Sequence, residues 1–248
     1  MWIKWLAVFL LSSPVFAYRF TSDFANGFYW QELPINITVV DSDPNRQAKI
    51  LALSQAAISD WQQSSGLQLW DYVGTGTKNI IRWSTNFAKE TKMDPTTVLA
   101  VAIRYTDGPY FAKTEIVING SHTLNQNDYY LRTTITHELG HTMGLDHSDV
   151  GQAVMAPTLQ SMYTGLHSDD VQGVRAAHAE MEQRQVTGYV SPLAYSKDGG
   201  EQNAMSCGTI QAAGAVNPGI SFNAFISLAG GLLISFVRKI IVWFKSRM

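Results

Sequence analysis

The sequence predicts a mixed domain of the α+β class. Between residues 33 and 178, short β-branched runs alternate with longer segments of helical periodicity. Glycine, proline and aspartate separate these segments, as they do at turns. Of the 248 residues, 46% are hydrophobic and 15% are charged, so the chain can bury a substantial core.

The elements are predicted in the following order. Residues 35–39 alternate and are rich in β-branched side chains, which indicates a strand. Residues 48–63 carry apolar side chains at helical spacing, and Gly66 can end that helix. Three short runs of strand type come next, at residues 79–83, 98–105 and 115–119. A long helix over residues 128–144 follows, with four apolar residues recurring along one side: Leu131, Ile135, Leu139 and Met143.

Charge and cysteine content exclude some classes of function. The formal net charge is −2 at pH 7, and no stretch interleaves basic with aromatic residues. Such a chain has no positive field to attract nucleic acid, so we expect no nucleic-acid partner. Cys207 is the one cysteine, which rules out an intrachain disulfide and leaves stability to packing and bound ions.

The N-terminus has the pattern of a cleaved signal peptide. Residues 1–17 combine Lys4, an apolar run over residues 5–11, and Ala17 where signal peptidase prefers a small residue. The apolar run is too short to span a bilayer. A buried amphipathic helix is the alternative. In the first case residues 18–32 form the N-terminal segment of an exported protein.

The region after residue 178 changes character twice. Residues 179–219 are polar and rich in Gly, Ser, Gln and Ala, which is typical of a linker. Residues 220–244 are mostly apolar and run into a basic tail that ends at residue 248. We expect a transmembrane helix there, with the basic tail in the cytoplasm and the domain outside. A buried or interfacial amphipathic helix remains the alternative.

Two interpretations of Cys207 stay open. Together with the apolar segment and the basic end, it could belong to a C-terminal sorting or lipid-attachment signal whose tail is removed. The simpler interpretation, which the sequence favours, is an exposed thiol within a linker.

The long helix carries the pattern His-Glu-x-x-His. Residues four apart lie about 40° apart around a helix axis and one turn along it, so His137 and His141 face one point. Glu138 lies about 100° round from His137, too far to be a good ligand at that point but within reach of a water molecule there.

Gly144 and His147 extend the pattern to H-E-x-x-H-x-x-G-x-x-H. A glycine can adopt the positive φ that ends a helix and turns the chain back, which brings a third imidazole to the same point. Three neutral nitrogen donors leave zinc an open fourth position, as in catalytic sites, whereas structural sites usually recruit thiolates. We therefore predict one catalytic zinc ion, and we treat the other three histidines as ordinary: His122, His167 and His178.

This stretch resembles the metzincin zinc proteases, and the matrixin branch in particular. Ser148 follows the third histidine as in matrixins, and Met155, with a proline two residues later, is similar to the Met-turn that underlies their metal. Residues 166–174 resemble the start of the final matrixin helix, where paired aspartates hold the Met-turn and the N-terminal segment. By this resemblance the supporting role falls to Asp170 first and to Asp169 second.

The resemblance covers residues 33–178, which we take as the catalytic domain. It implies a metzincin-like fold with a twisted mixed sheet, an active-site helix and a C-terminal helix. It also implies a zinc-dependent endopeptidase in which Glu138 acts as the general base and returns the proton to the leaving amine.

The same resemblance predicts where a substrate binds. An extended peptide would lie antiparallel to the edge strand around Ala100, Val101 and Ala102. The walls of the side-chain pocket would come from the helix and from the segment after the Met-turn: Thr134, Pro157, Thr158 and Leu159.

The chain departs from the family in two places. Residues 106–115 offer no counterpart to the loop that holds a second, structural zinc, so one zinc is expected and calcium sites are in doubt. No cysteine precedes the domain, so the family's thiolate latency is not expected.

Two other functions stay open. A catalytically silent zinc-binding or adhesion module on a membrane stalk would need the three histidines but not Glu138. A metal hydrolase acting on other molecules would share the ligands but not the Met-turn.

We expect an exported, membrane-anchored monomer that acts on protein or peptide substrates outside the cytoplasm.

Overall fold

The computed structural model describes residues 17–159, 164–194 and 205–212. Most of the predicted signal peptide and the whole predicted membrane helix lie outside these residues. Among the helices of the described ranges, none has both the length and the apolar character needed to cross a bilayer.

The described residues form an α+β fold, as predicted. The helices are α1 (Ser22–Ala25), α2 (Pro44–Ser65), α3 (Phe87–Thr91), α4 (Asp128–Thr142) and α5 (Ser168–Thr187), with a 3₁₀ helix at Thr123–Gln126. The strands are β1 (Tyr29–Trp30), β2 (Ile35–Val40), β3 (Trp70–Tyr72), β4 (Ile80–Ser84), β5 (Val98–Asp107), β6 (Tyr110–Asn119) and β7 (Met205–Gln211).

All seven strands belong to one mixed sheet. Its order is β3-β2-β4-β6-β5-β7, and β1 pairs with the beginning of β6. Strands β2, β3, β4 and β6 are parallel to their neighbours in this series, whereas β5 is antiparallel to both β6 and β7. The mixed sheet expected from the resemblance is therefore confirmed.

Helix α2 begins before the predicted residue 48. The Asp43 side chain caps it by accepting hydrogen bonds from the backbone N–H groups of Asn45 and Arg46, and Pro44 occupies its first turn. The helix ends where Gly66 adopts a φ of 73°, as the sequence predicts.

Three buried tryptophans hold helix α4 against the rest of the core. The indole N–H of Trp61 donates to the carbonyl of Thr136 at 2.9 Å, and that of Trp30 donates to the carbonyl of Thr142 at 2.8 Å. Trp70 donates to the hydroxyl of Thr142 at 2.9 Å. Each indole combines a large buried surface with a satisfied donor, so α4 is fixed in position and rotation.

The domain begins earlier than the predicted boundary at residue 33. Phe24, Tyr29 and Trp30 are buried in the main core, and β1 adds to the sheet beside β6. The reason is the large apolar area of these aromatic side chains, which is lost from water only if the N-terminal segment packs as part of the domain.

The predicted linker over residues 179–219 is also corrected. Helix α5 continues to Thr187 because Met181 and Arg184 are buried, and it ends where Gly188 adopts a φ of 61°. Residues 205–211 form β7, which pairs with the edge of β5. An edge strand exposes unpaired backbone groups, and β7 satisfies those of β5.

Candidate metal centre

Helix α4 carries the histidine pattern into the interior of the protein. Asn127 caps its N-terminus by accepting a hydrogen bond from the N–H of Tyr129, and every residue from Thr133 to Thr142 is buried. Most polar groups that are buried on such a helix need a hydrogen-bond partner.

The three predicted histidines meet at one point. One nitrogen of each ring of His137, His141 and His147 lies within 4.8 Å of the others. The ring centroids are separated by 4.6 Å, 5.3 Å and 5.1 Å. Within the described residues, this is the group of His, Cys, Asp or Glu side chains placed to hold a metal ion.

The hydrogen bonds of two rings decide which nitrogens face the common point. Nδ1 of His137 lies 2.7 Å from the carbonyl of Val154, and Nδ1 of His141 lies 2.7 Å from the carbonyl of Leu145. A carbonyl only accepts, so each Nδ1 carries the proton and each Nε2 presents a lone pair.

This arrangement fits a bound cation. The two Nε2 atoms of His137 and His141 are 2.9 Å apart. Burial, with a contribution from His147, lowers the pKa of His137 to about 3 and holds that of His141 well below its ordinary value. Two uncharged rings with facing lone pairs repel unless a positive ion lies between them, and neutral imidazole is the form that binds zinc.

Gly144 makes the turn that brings in His147. Its φ is 90°, and a Cβ at this position would lie 2.6 Å from the ring of Phe24, so both the backbone and the packing require glycine. The N–H of Leu145 bonds back to the carbonyl of Gly140 at 3.2 Å, which closes the end of α4. The predicted turn at Gly144 is confirmed.

Met155 packs against helix α4 at Gly140. A Cβ built on Gly140, between the two helical histidines, would collide with the sulfur of Met155. The carbonyl of Met155 accepts a hydrogen bond from the N–H of Ser148 at 2.9 Å, and the neighbouring Val154 holds His137. The segment predicted to be the Met-turn therefore packs against α4 between the two helical histidines and orients the ring of His137.

The two aspartates tie this segment to helix α5. Asp170 accepts hydrogen bonds from the N–H groups of Val154 at 2.9 Å, Met155 at 3.0 Å and His167 at 2.8 Å. Burial raises the pKa of the Asp170 carboxyl, although these three donors oppose that effect. Asp170 thus joins the segment around Met155 to the first turn of α5.

Asp169 reaches both the metal-binding loop and the start of the domain. One oxygen accepts the hydroxyl of Ser148 at 2.6 Å, and the other accepts the backbone N–H groups of Tyr18 at 3.0 Å and Ala17 at 3.1 Å. A single carboxylate thus joins the N-terminal segment to the residue that follows His147.

Glu138 is fully buried beside the histidines. Burial raises the pKa of its carboxyl to about 8, and hydrogen bonds from the backbone N–H groups of Ile210 and Ala102 only partly offset this effect. Its Oε1 lies 3.3 Å from the nitrogen of Ile210. The carboxyl group is therefore held close to the backbone of β7.

The predicted substrate-binding residues surround the same place. Ala100, Val101 and Ala102 are buried in β5, along the edge that β7 covers. On the opposite side, the segment after the Met-turn contacts β7: the N–H of Leu159 donates to the carbonyl of Gln211 at 2.7 Å, and Pro157 and Thr158 also pair with this strand. Thr134 is buried one helical turn before Glu138, and its hydroxyl makes no hydrogen bond within the described ranges.

Sequence reasoning missed a buried ion pair behind the site. Arg104 is fully buried in β5 and makes hydrogen bonds to both carboxylate oxygens of Asp23 and to the carbonyl of His141. The sequence does contain a signal for this pair, because Arg104 directly follows an apolar run in a predicted strand, where a side chain that faces solvent is not expected. A charge there requires a buried partner.

Comparison with known proteins gives one family match. A family model described as matrixin matches residues 29–179, more than half of the chain. Matrix metalloproteinase-19 of Homo sapiens is 42% identical over 52 residues, which are 20% of this chain and 10% of that protein. Interstitial collagenase of Sus scrofa is 44% identical over 64 residues, or 24% of this chain and 13% of that protein. Matrix metalloproteinase-16 of Homo sapiens is 46% identical over 52 residues, or 20% and 8%.

Proposed function

This chain belongs to the matrixin family, and we propose that it is a zinc-dependent endopeptidase. The observation that supports this function best is the pair of facing Nε2 lone pairs of His137 and His141, with a buried carboxyl group next to them. The matched relatives are much longer than the region they share with this chain, so their activities come to it only as part of this proposal.

We propose that His137, His141 and His147 hold one zinc ion. Bound there, zinc supplies a Lewis acid that polarises a peptide carbonyl and makes water easier to deprotonate. Val154 and Leu145 fix the orientation of two of the rings through their carbonyls, which keeps the donor nitrogens aimed at one point.

Glu138 performs the proton transfers in this proposal. Its carboxylate takes a proton from the attacking water and gives it to the nitrogen of the bond that breaks. The position of Glu138 supports the second transfer, because its Oε1 lies 3.3 Å from the backbone nitrogen of Ile210 in β7. Because Glu138 is kept from solvent, the proton that it carries between the two steps exchanges only slowly with bulk water.

The substrate would lie as an extended strand between β5 and residues 157–159. Backbone groups of Ala100 and Ala102 on one side and of Leu159 on the other would pair with it, so main-chain hydrogen bonds would supply affinity for any unfolded peptide. Thr134 lies on the helical side of this cleft.

The function is tested on the full chain by replacing the proton carrier. Incubation of the zinc-loaded chain with a reduced and alkylated protein should yield fragments, and Glu138→Ala should lower kcat/KM by about 10²- to 10⁴-fold. The matched control is Glu182→Ala, on the exposed side of α5, which should cleave normally. Zinc content by mass spectrometry should be one ion per chain in all three proteins.

The outcome also separates the alternative functions. A chain that binds one zinc ion yet leaves the unfolded protein intact would favour the silent binding module. Equal cleavage by the Glu138→Ala variant would remove the glutamate from the mechanism.

We further propose that the exported chain begins at Tyr18. Its backbone nitrogen lies 3.0 Å from Asp169, so cleavage after Ala17 would create an ammonium group beside this buried carboxylate. N-terminal sequencing of the exported protein should read Tyr-Arg-Phe, and any other start contradicts the proposal. The membrane helix over residues 220–244 and the monomeric state stay predictions.

A further inference from the structure

Strand β7 occupies the cleft in which a substrate would bind. It pairs antiparallel with β5, with Ala100 opposite Ile210 and Val101 opposite Thr209. On its other side it forms a parallel bridge to the segment after the Met-turn, where Thr158 lies opposite Gln211. The chain therefore places one of its own segments between the two walls of the proposed cleft, in the direction expected for a substrate.

The register brings one particular peptide bond to Glu138. Oε1 of Glu138 lies 3.3 Å from the nitrogen of Ile210, which is the nitrogen of the Thr209–Ile210 bond. A general acid must approach the nitrogen of the bond that breaks, to within about one hydrogen-bond length. In the next residues, the N–H of Gln211 donates to the carbonyl of Pro157 at 3.0 Å and the N–H of Ala212 donates to that of Thr97 at 2.9 Å.

The side chain of Ile210 fills an apolar pocket beside the site. Ile210 is 1% exposed and packs with Leu99 from β5 and Leu159 from the opposite wall, with Leu124 and Tyr130 around them. Burial of a side chain of this size removes a large apolar area from water and so stabilises the bound strand. Ile210 thus anchors the segment with its backbone nitrogen next to Glu138.

We propose that the Thr209–Ile210 bond is an internal substrate that the chain hydrolyses within the same molecule. This inference rests on the proposed endopeptidase function. The oxygen of one water molecule bonds to the carbonyl carbon of Thr209, and the C–N bond to Ile210 breaks. One proton of that water passes through Glu138 to the nitrogen of Ile210, and the new carboxyl and amino groups then ionise.

The direction of β7 favours its role as a substrate over a role as a permanent inhibitor. A segment running the opposite way would exchange the positions of amide nitrogen and carbonyl relative to Glu138, and would resist cleavage. Here the nitrogen is on the side of the acid. Hydrolysis would separate residues 1–209 from residues 210–248 and would remove the anchor at Ile210 from the catalytic part, opening the cleft to other peptides.

The test follows the full chain in mild detergent after zinc is added to the metal-free protein. Mass spectrometry should find one early cut, and the C-terminal fragment should begin Ile-Gln-Ala-Ala. The first-order rate constant should not change over a hundredfold range of protein concentration, since the reaction is intramolecular. Cleavage first at another bond, or a rate constant proportional to concentration, would overturn the proposal.

Substitution of the anchor supplies the variant test. Ile210→Asp should slow the cut by about a hundredfold or more, because a carboxylate cannot enter the apolar pocket without loss of solvation. Ile210→Val should keep the cut. The matched control is Val186→Asp on α5, where the side chain is 87% exposed, and it should be cut at the normal rate. Urea unfolding midpoints of the three variants identify any that fails to fold.

A second readout does not depend on activity. In the metal-free chain, the amides of Gln211 and Ala212 should exchange hydrogen at least about tenfold more slowly than in an unfolded peptide, and Ile210→Asp should remove this protection. Exchange at the unfolded rate in the unmodified chain would overturn the placement of β7.

An added unfolded protein in the same reactions distinguishes failure of the internal-substrate proposal from failure of the endopeptidase function. If that protein is cleaved while the chain stays intact, the internal-substrate proposal is wrong and the endopeptidase function stands. If, with the unmodified chain still intact, Ile210→Asp speeds cleavage of the added protein, β7 acts as an inhibitor and not as a substrate. If neither is cleaved, the endopeptidase function fails, and the internal-substrate proposal fails with it.

Discussion

Gly140 shows how a single position between the two helical histidines controls the support beneath them. A Cβ here would collide with the sulfur of Met155 and would lie 3.1 Å from the ring of Trp61. Both neighbours are buried, and Met155 follows the residue whose carbonyl orients His137. The absence of a side chain at Gly140 is therefore a packing requirement and not a matter of backbone conformation.

Gly140→Ala should destabilise the protein. Overpacking of a dense core costs about 1–3 kcal/mol, and the better helix propensity of alanine returns less than about 1 kcal/mol. Urea unfolding measures the difference. Gly151→Ala is the matched control, because a Cβ there meets nothing within 4 Å, and it should leave the midpoint unchanged. A neutral Gly140→Ala would mean that Met155 yields easily.

Much of the site at this scale was predictable. The spacing of His137, Glu138 and His141 follows from helix geometry alone, and Gly144 needed only the rule that glycine permits positive φ. Asp23, in contrast, could not be identified as the partner of Arg104. The two are far apart in sequence, and no local pattern says which acidic residue meets a buried arginine.

At the scale of elements, the Asp23–Arg104 pair joins the N-terminal segment to strand β5. Arg104 also reaches the hydroxyl of Thr21 at 2.6 Å and the carbonyl of His141, so one guanidinium connects helix α1, β5 and the end of α4. Burial raises the pKa of Asp23, but the charge and hydrogen bonds of Arg104 outweigh it, and the net effect lowers that pKa.

A lowered pKa makes the contribution of Asp23 depend on pH in one direction. The stabilisation is complete above the ordinary carboxyl pKa of about 4 and is lost as the pH falls through the lower folded-state value. Asp23→Asn should therefore cost about 3–5 kcal/mol at pH 7, and this difference should shrink below about pH 4. Urea unfolding at several pH values measures it.

The control for this pair is another Asp–Arg contact nearer the surface. Asp60 and Arg132 are 2.6 Å apart and both partly exposed, so Asp60→Asn should cost no more than about 1 kcal/mol at pH 7. A difference for Asp23→Asn that is constant from pH 3 to pH 7 would contradict the assigned pKa shift.

At the scale of elements, one helix start and one strand could not be predicted from local sequence patterns. Helix α2 was predicted except for its first turn, because the capping role of Asp43 depends on its backbone conformation. Strand β7 lies in a segment whose composition predicts a linker, because Met205–Gln211 is short and contains a glycine. Its pairing partner β5 lies about a hundred positions earlier. Pairing between distant segments is a tertiary property that local composition does not contain.

For the molecule as a whole, the proposed zinc ion should be a source of stability. An ion that binds only the folded state adds about 4 kcal/mol at a concentration a thousand times its dissociation constant. Chelation should lower the urea midpoint accordingly, and His147→Ala should lose most of the difference between the chelated and the zinc-loaded protein.

The three tryptophans around α4 give this protein a built-in optical probe. Trp30, Trp61 and Trp70 are each at most 5% exposed, and each donates its indole N–H to helix α4. Their fluorescence emission should be blue-shifted while the helix is packed and should move to longer wavelength when it loosens. Ultraviolet light excites all seven tryptophans of the unlabelled protein, so the blue-shifted part of the emission would follow the helix that carries the histidines.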